Sequence, residues 1–217
     1  MKRLPFESEI DSLMFSFNNK TKIEKRETLL EIIIKYQESD YPWRARDYIN
    51  PLLVLLDEVG DDKDFSCFDA IIRFYYNVHD FMNLYHLYLK KAKFQKEKGS
   101  GFAYISIGKA MEIRNAMPEN IKPEFDLNKI LEEYLDKAEY FKKQENKTPY
   151  LKIDPIEYSE EFLSNYDEVM EEVREEIDKV GDLHIPQQLW GIMSEKFSKR
   201  GIYWKSPDLM NPGVMFD

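Results

Sequence analysis

Apolar residues in this chain recur at spacings of three and four along most of its length, and strand-like alternation is nearly absent. The clearest run forms one seam over about five helical turns: Phe162, Tyr166, Val169, Val173, Ile177 and Val180. Residues at these spacings lie on one face of an α-helix. The sequence therefore predicts an all-α protein.

Start and stop signals divide the chain into about nine helices. Thr21 with Glu24 three residues later is a capping box, which marks a helix start. Gly99-Ser100-Gly101 separates two helices. Pro51 interrupts an earlier helical stretch, which predicts either a kink or two shorter helices with Asn50 as the cap of the second. The short turns favour antiparallel helix hairpins, arranged as an α-solenoid or as a bundle.

A polar stretch with two prolines, residues 144–158, is the one predicted internal boundary. It predicts a helical body over residues 1–145, whose last helix runs unbroken over 127–141, and a C-terminal appendage over 146–217. We expect the appendage to contain an acidic helix, a shorter helix and an extended apolar tail. An exposed tail of this composition would present a large apolar surface, so we expect it to pack on its own body or on a second subunit.

Two groups of four residues share the offsets 9, 13 and 16: Phe94, Ala103, Ile107 and Ala110, and Tyr36, Ala45, Ile49 and Leu52. The pattern resembles the tetratricopeptide repeat, in which small and aromatic residues at such positions let paired helices approach closely. The resemblance covers about a third of the chain. It departs from the family at Lys90 and Lys91, where a Leu-Gly pair is usual, and the two groups lie 58 residues apart instead of a multiple of about 34.

Charge is unevenly distributed along the chain. The 31 basic and 41 acidic residues give a net charge of −10, which argues against a general affinity for nucleic acid. Residues 151–185 hold 3 basic and 12 acidic residues, a balance of −9, whereas residues 90–98 hold 5 lysines and 1 glutamate, a balance of +4. The acidic helix could present a solvated face, lie near the lysines, or attract an oppositely charged partner.

Signals for membrane insertion and export are missing from the sequence. No apolar run approaches the roughly 18 to 20 residues of a membrane span, and Glu7, Glu9 and Asp11 interrupt the place of a signal-peptide core. The single cysteine, Cys67, excludes an internal disulfide. We therefore expect a cytoplasmic protein without a membrane partner. Scarce alanine with abundant lysine, isoleucine and asparagine is typical of A+T-rich genomes and suggests a bacterial origin.

The common catalytic and metal-binding signatures are also missing. His79 and His86 lie two helical turns apart, about 10 Å along the axis, which is too far to share one metal ion. No His-Glu-x-x-His or Cys-x-x-Cys motif occurs. The sequence predicts neither a metal nor another cofactor.

Arg73 and His79 are separated by five residues, which resembles the Arg-x4–6-His motif of the helical HEPN ribonucleases. The resemblance implies a metal-independent reaction in which the imidazole moves the proton of a ribose 2′-hydroxyl and the guanidinium stabilises the phosphate charge. Phe74 follows the arginine, where that family prefers a polar residue. The alternative is a purely structural pair that stabilises a helix end.

Two further sets of residues are candidates for partner binding. A tyrosine-lined groove bordered by lysines would suit a peptide or an acidic segment; its residues are Tyr75, Tyr76, Tyr85, Tyr88, Lys90 and Lys91. The acidic helix offers Glu168, Glu171, Glu172, Glu175 and Glu176. We predict a non-enzymatic protein-interaction module, either a helical scaffold or adaptor or, more narrowly, an acidic inhibitor or immunity-type protein that masks a basic partner. The alternative is the ribonuclease.

Overall fold

The protein is all-α, which confirms the predicted fold class. A computed structural model describes residues 4–61, 65–149, 151–180 and 186–216, and these ranges contain helices, turns and extended segments but no strand. The chain divides into two compact units, Met1–Asn77 and Val78–Asp217. The boundary predicted at residue 145 lies inside the second unit.

Four α-helices form the described part of the first unit. They are α1 (Glu7–Phe15), α2 (Lys22–Gln37), α3 (Arg46–Val59) and α4 (Ser66–Asn77), with 3₁₀ turns at Phe17–Asn19 and Pro42–Ala45. Helix α2 begins in the predicted capping box: the Thr21 hydroxyl accepts from the N–H of Glu24 at 3.3 Å, and the Glu24 carboxylate accepts from the N–H of Thr21 at 2.7 Å. Two N–H groups at the helix start are thereby satisfied.

Helix α3 continues through Pro51. The alternative of two helices with Asn50 as a cap is therefore wrong, even though a proline cannot donate to the carbonyl one turn earlier. Packing against α2 and α4 stabilises the uninterrupted helix; the buried apolar residues of these three helices include Leu29, Ile32, Ile33, Ile49, Leu52, Leu56, Phe68, Ile71 and Phe74.

The described part of the second unit contains seven α-helices. They are α5 (Phe81–Glu97), α6 (Ala103–Ala116), α7 (Leu127–Glu133), α8 (Ala138–Glu145), α9 (Glu160–Val180), α10 (Pro186–Ser198) and α11 (Pro207–Met210). Helices α5 and α6 form the most extensive helix pair. Ser106 donates to Gln95 at 2.7 Å near the connecting turn, and Tyr85 packs with Ala110 and Met117 at the far end. This order of contacts makes the pair antiparallel.

The predicted helix over residues 127–141 is broken in two. After α7, Tyr134 adopts φ −132° and ψ 53°, and a 3₁₀ turn, Leu135–Lys137, leads into α8. The Tyr134 ring packs on Phe141, which is fully buried, with 6.0 Å between ring centroids. The break and the short helix α11 account for eleven described helices instead of nine.

Helices α9 and α10 pack through the predicted apolar seam. Phe162, Tyr166, Val169 and Val173 are buried, and Ile177 is half-buried, while the side chain of Val180 lies outside the described residues. Phe162 stacks on Phe197 of α10 with 4.5 Å between ring centroids. Aromatic side chains therefore fill the space between these two helices.

The tail after α10 has no helix over residues 202–206 and then forms α11. The predicted extended conformation is therefore found only in the first part of the tail. Ile202 and Trp204 are buried, whereas Tyr203 between them is exposed. The Asn211 amide both accepts from the N–H of Lys152, at 2.7 Å, and donates to its carbonyl, at 2.8 Å. Side-chain hydrogen bonds to the backbone thus fix the tail on the residues that precede α9.

Within the described ranges, none of the helices combines the length and the apolar character that crossing a bilayer requires.

Candidate functional site

His79 belongs to a polar cluster of the second unit that also includes Glu157 and Trp204. His79 precedes α5 in the left-handed backbone region, at φ +58°, which a non-glycine residue adopts only at a local energetic cost. Its Nδ1 lies within hydrogen-bonding distance of Oε2 of Glu157, and since a carboxylate accepts, Nδ1 carries the proton. Oε1 of the same carboxylate accepts from the indole N–H of Trp204 at 2.7 Å.

Most side chains of this cluster are buried. Glu157 is only 3 % exposed, and Trp204 is buried as well. The rings of Phe162 and Tyr166, both buried, lie 6.4 and 5.8 Å from the imidazole centroid. The His79 side chain retains 28 % exposure, so part of the residue remains in contact with solvent. Geometrically the cluster joins three chain segments through a satisfied buried carboxylate.

The other member of the predicted ribonuclease pair, Arg73, lies on α4 and is exposed. It belongs to the first unit, whereas His79 belongs to the second. The catalytic pairing of Arg73 with His79 stays a prediction.

The predicted tyrosine groove contains two core residues. Tyr85 is 2 % exposed, its hydroxyl donates to the carbonyl of Glu124 at 3.5 Å, and burial raises the pKa of its phenol. Tyr75 on α4 is buried as well. The burial of these two rings does not favour contact with a partner, and their place in the predicted binding set stays a prediction.

The remaining members of that set lie closer to solvent. Tyr76 is 66 % exposed on α4, and Tyr88 is half-buried beside the Tyr85 cluster. Lys90 and Lys91 are half-buried on α5. A partner-binding role for these four residues stays a prediction.

The acidic helix α9 is partly neutralised along one edge by cations from α10 and the residues after it. Arg200 pairs with Glu172 at 2.7 Å and with Glu168 at 3.3 Å, and Lys196 pairs with Glu176 at 2.5 Å. The hydrogen bond from Arg200 holds the pKa of the Glu172 carboxyl below its usual value, and the Glu176 partner raises the pKa of Lys196. Three of the five predicted partner-binding acids therefore already contact cations of their own chain.

The outer face of α9 differs from that edge. Glu161, Glu168 and Glu175 are seven residues apart and all exposed, and Glu168 keeps 71 % side-chain exposure beside Arg200. Seven residues of an α-helix rotate about 20° short of two full turns and rise about 10.5 Å along the axis. The three carboxylates therefore lie nearly in line along the helix, about 10.5 Å apart. We call these three residues the acidic row. Glu171, the remaining predicted acid, is half-buried.

In the part of the chain that the structure describes, no group of three or more His, Cys, Asp or Glu side chains could hold a metal ion. No protein-family model matches the chain, and comparison with curated proteins and with solved structures finds no similar protein. The resemblance to the tetratricopeptide repeat stays a prediction.

Sequence reasoning missed four residues that shape these sites. Glu157 and Trp204 lie 47 residues apart, and no local pattern links them to each other or to His79. Lys196 and Arg200 carried a usable signal, because two basic residues four apart, at and just after the end of a helix that follows an acidic one, predict an ion-paired edge.

Proposed function

We propose that this chain is a non-enzymatic protein-binding module whose acidic row contacts a basic surface on a partner protein. The observation that carries the proposal is the line of exposed carboxylates at Glu161, Glu168 and Glu175. Helix α9 holds nine acidic and two basic residues, a balance of −7. A fixed row of like charges accelerates the encounter with an oppositely charged surface and disfavours partners of the same sign.

The different contacts made by the sides of α9 support this proposal. Its apolar side is buried against α10, and its edge acids contact Arg200 and Lys196. Within the described ranges, no cation pairs with Glu161 or Glu175. Glu168 pairs with Arg200, but Glu161 and Glu175 are not needed to hold the helix in place through an ion pair, so their charge can act on another molecule together with the exposed side of Glu168.

Basic protein surfaces commonly serve to bind nucleic acid phosphates. A scaffold or adaptor would hold such a partner, and the narrower proposal is an inhibitor or immunity-type protein that covers the partner's nucleic-acid-binding surface. In either form the contact depends on salt concentration, because exposed charges are screened beyond about 8 to 10 Å at physiological ionic strength.

The test compares the native chain with a row variant, Glu161→Lys with Glu168→Lys and Glu175→Lys. Each protein is immobilised and exposed to a lysate of the source cell, and the partner that the native chain retains is then purified and titrated calorimetrically against both. We expect a basic partner whose affinity falls about tenfold or more with the row variant and falls with added salt.

A matched control carries the same change in charge elsewhere on the second unit: Glu97→Lys, Glu132→Lys and Glu139→Lys, which replace exposed glutamates outside α9. This control should bind the partner nearly as well as the native chain does. Equal losses in both variants, or a retained partner that is acidic, would contradict the acidic row as the contact surface.

The second candidate function is the metal-independent ribonuclease. The observation that favours it is the buried Glu157, which orients the His79 imidazole through Nδ1 and leaves Nε2 for proton transfer. The expected result is RNA cleavage that His79→Ala and Arg73→Ala each abolish and that His86→Ala, at an exposed position on α5, leaves intact. Cleavage that survives His79→Ala would exclude this candidate.

A further inference from the structure

A cleft of 440 Å³ opens in the first unit between the residues that precede α1 and the turn that follows α2. Its lining consists of Leu4, Pro5, Phe6, Lys35, Glu38, Ser39, Asp40 and Tyr41. The volume lies within the range of about 300 to 1,000 Å³ that is typical of small-ligand sites. The lining combines apolar and aromatic side chains with carboxylates.

The aromatic walls are held in place by their neighbours. Phe6 packs edge-on against Tyr36, with 5.4 Å between ring centroids, and Tyr36 stacks on Tyr48 at 5.8 Å. Tyr41 packs against Trp43, which is buried, at 5.5 Å. The cleft is therefore bounded by rings whose positions the core of the unit fixes.

One wall already binds a cation of the chain itself. The Arg44 guanidinium lies over the Tyr41 ring, 4.6 Å from its centroid, and pairs with Glu7 at 3.1 Å. A guanidinium held between an aromatic face and a carboxylate is a favourable arrangement, since the ring quadrupole and the negative charge attract it together. The same two kinds of group, an aromatic ring and a carboxylate, face the cleft.

The electrostatics of the cleft favour a positive ligand. Helix α2 ends there, so its terminal carbonyls contribute partial negative charge. Glu38 and Asp40 are both exposed at the rim. Lys35, the one cation among the described lining residues, pairs with Glu9 at 2.8 Å, lies 3.8 Å from Glu31 and also interacts with Glu38. One cation against the two carboxylates Glu38 and Asp40 leaves the described lining with a net negative charge.

We propose that this cleft binds a cationic group on a short apolar stem, the chemistry of an arginine or lysine side chain. The stem would lie along Leu4, Pro5 and Phe6, and the charged end would lie near Glu38 and Asp40. The proposal does not depend on the function proposed for α9, because every residue it uses belongs to the first unit.

The test titrates the ¹⁵N-labelled full chain with n-butylguanidinium and, separately, with n-butylammonium, each followed by amide chemical shifts. We expect saturable shifts of the amides of Phe6 and residues 38–41. n-Butanol, which has the same stem without the charge, should produce no saturable shift there. The two cations distinguish an arginine site from a lysine site by their relative affinities.

Two variants address the carboxylates. Glu38→Gln and Asp40→Asn should each weaken cation binding about threefold, as expected for the loss of one partly exposed charge contact. Glu27→Gln removes an exposed glutamate from the same helix outside the cleft and should leave the affinity unchanged. The proposal is overturned if neither cation shifts the cleft amides, if n-butanol binds equally well, or if Glu27→Gln weakens binding as much as Glu38→Gln does.

Discussion

The second unit builds its two main helix pairs by different means. In the α5–α6 pair, small residues such as Ala92 and Ala110 lie beside large ones such as Met111 and Tyr85, and Gln95 and Ser106 form a buried polar contact. The α9–α10 pair instead stacks ring on ring, as Phe162 does on Phe197, and adds ion pairs along one edge. Small residues opposite large ones fill the first pair, whereas stacked rings fill the second.

This difference explains where charge is available for binding. Helix α9, whose apolar seam is narrow, uses Glu172 and Glu176 to fix its edge and keeps the acidic row outside. Variants that remove a stacked ring, a buried carboxylate, a close helix contact or an edge cation in the second unit should therefore lower the unfolding free energy by different amounts.

Phe162→Ala should have the largest effect. It removes a fully buried ring that stacks on Phe197, and such truncations cost about 3–5 kcal/mol of unfolding free energy. Chemical denaturation followed by circular dichroism measures the loss. Leu135→Ala, at a position that is 78 % exposed, serves as the control and should stay within about 0.5 kcal/mol of the native chain. Similar losses for both would refute the volume argument.

Glu157→Leu should come next, with a cost of about 2–3 kcal/mol, because it leaves the Trp204 indole N–H and the His79 imidazole without their acceptor. Glu157→Gln retains an amide oxygen for Trp204 and should cost less. Equilibrium unfolding of both variants tests this order. A leucine variant as stable as the native chain would show that the buried hydrogen bonds contribute nothing.

Gly108→Ala tests close approach in the α6–α8 contact. A Cβ at this position would lie 2.2 Å from the Tyr140 hydroxyl oxygen, so the ring must move. Overpacking costs about 1–3 kcal/mol and alanine regains about 1 kcal/mol of helix propensity, which leaves a net loss of about 1 kcal/mol. In a Tyr140→Ala background the same substitution should stabilise the protein. Unfolding of the four proteins in this cycle checks the reversal of sign.

Arg200→Ala should have the smallest effect, about 0.2–1 kcal/mol, because its ion pairs with α9 are partly exposed and screened. Arg200 holds the pKa of Glu172 below its ordinary value of 4.5. This contribution is therefore present above about pH 4.5 and disappears as the pH falls through the folded-state pKa. Thermal melts of the native and variant chains should differ at pH 7, and should converge in strong acid and in high salt. A difference that persists in strong acid would assign the effect to lost packing.

Local patterns predicted the elements that local interactions determine. The capping box of α2 and the buried seam of α9 could be read from spacing alone, because each depends on residues within one or two helical turns. The helix predicted over residues 127–141 failed for the opposite reason. Its pattern is helical throughout, but the backbone of Tyr134 leaves the helical conformation, and its ring packs on Phe141, seven residues later.

The sites were less predictable than the fold. The acids of α9 were found from composition, but their division into a paired edge and an outer row depends on Lys196 of α10 and on Arg200, which follows α10. Residue type alone does not separate a buried role from a surface role for Tyr85, since tyrosine occurs in interiors and on surfaces alike. Contacts distant in sequence decided each of these outcomes.

The indole contact of Glu157 has a consequence for the order in which the chain can mature. Trp204 is synthesised 125 residues after His79 and 47 residues after Glu157. Until Trp204 has been synthesised, the Glu157 carboxylate must remain hydrated or pair with His79 alone. The second unit therefore cannot bury this carboxylate with its full set of hydrogen bonds before that point. Ribosome-bound chains that stop before Trp204 should therefore be more accessible to proteases near α9 than chains that extend beyond α11, which makes the last assembly step a late event in synthesis.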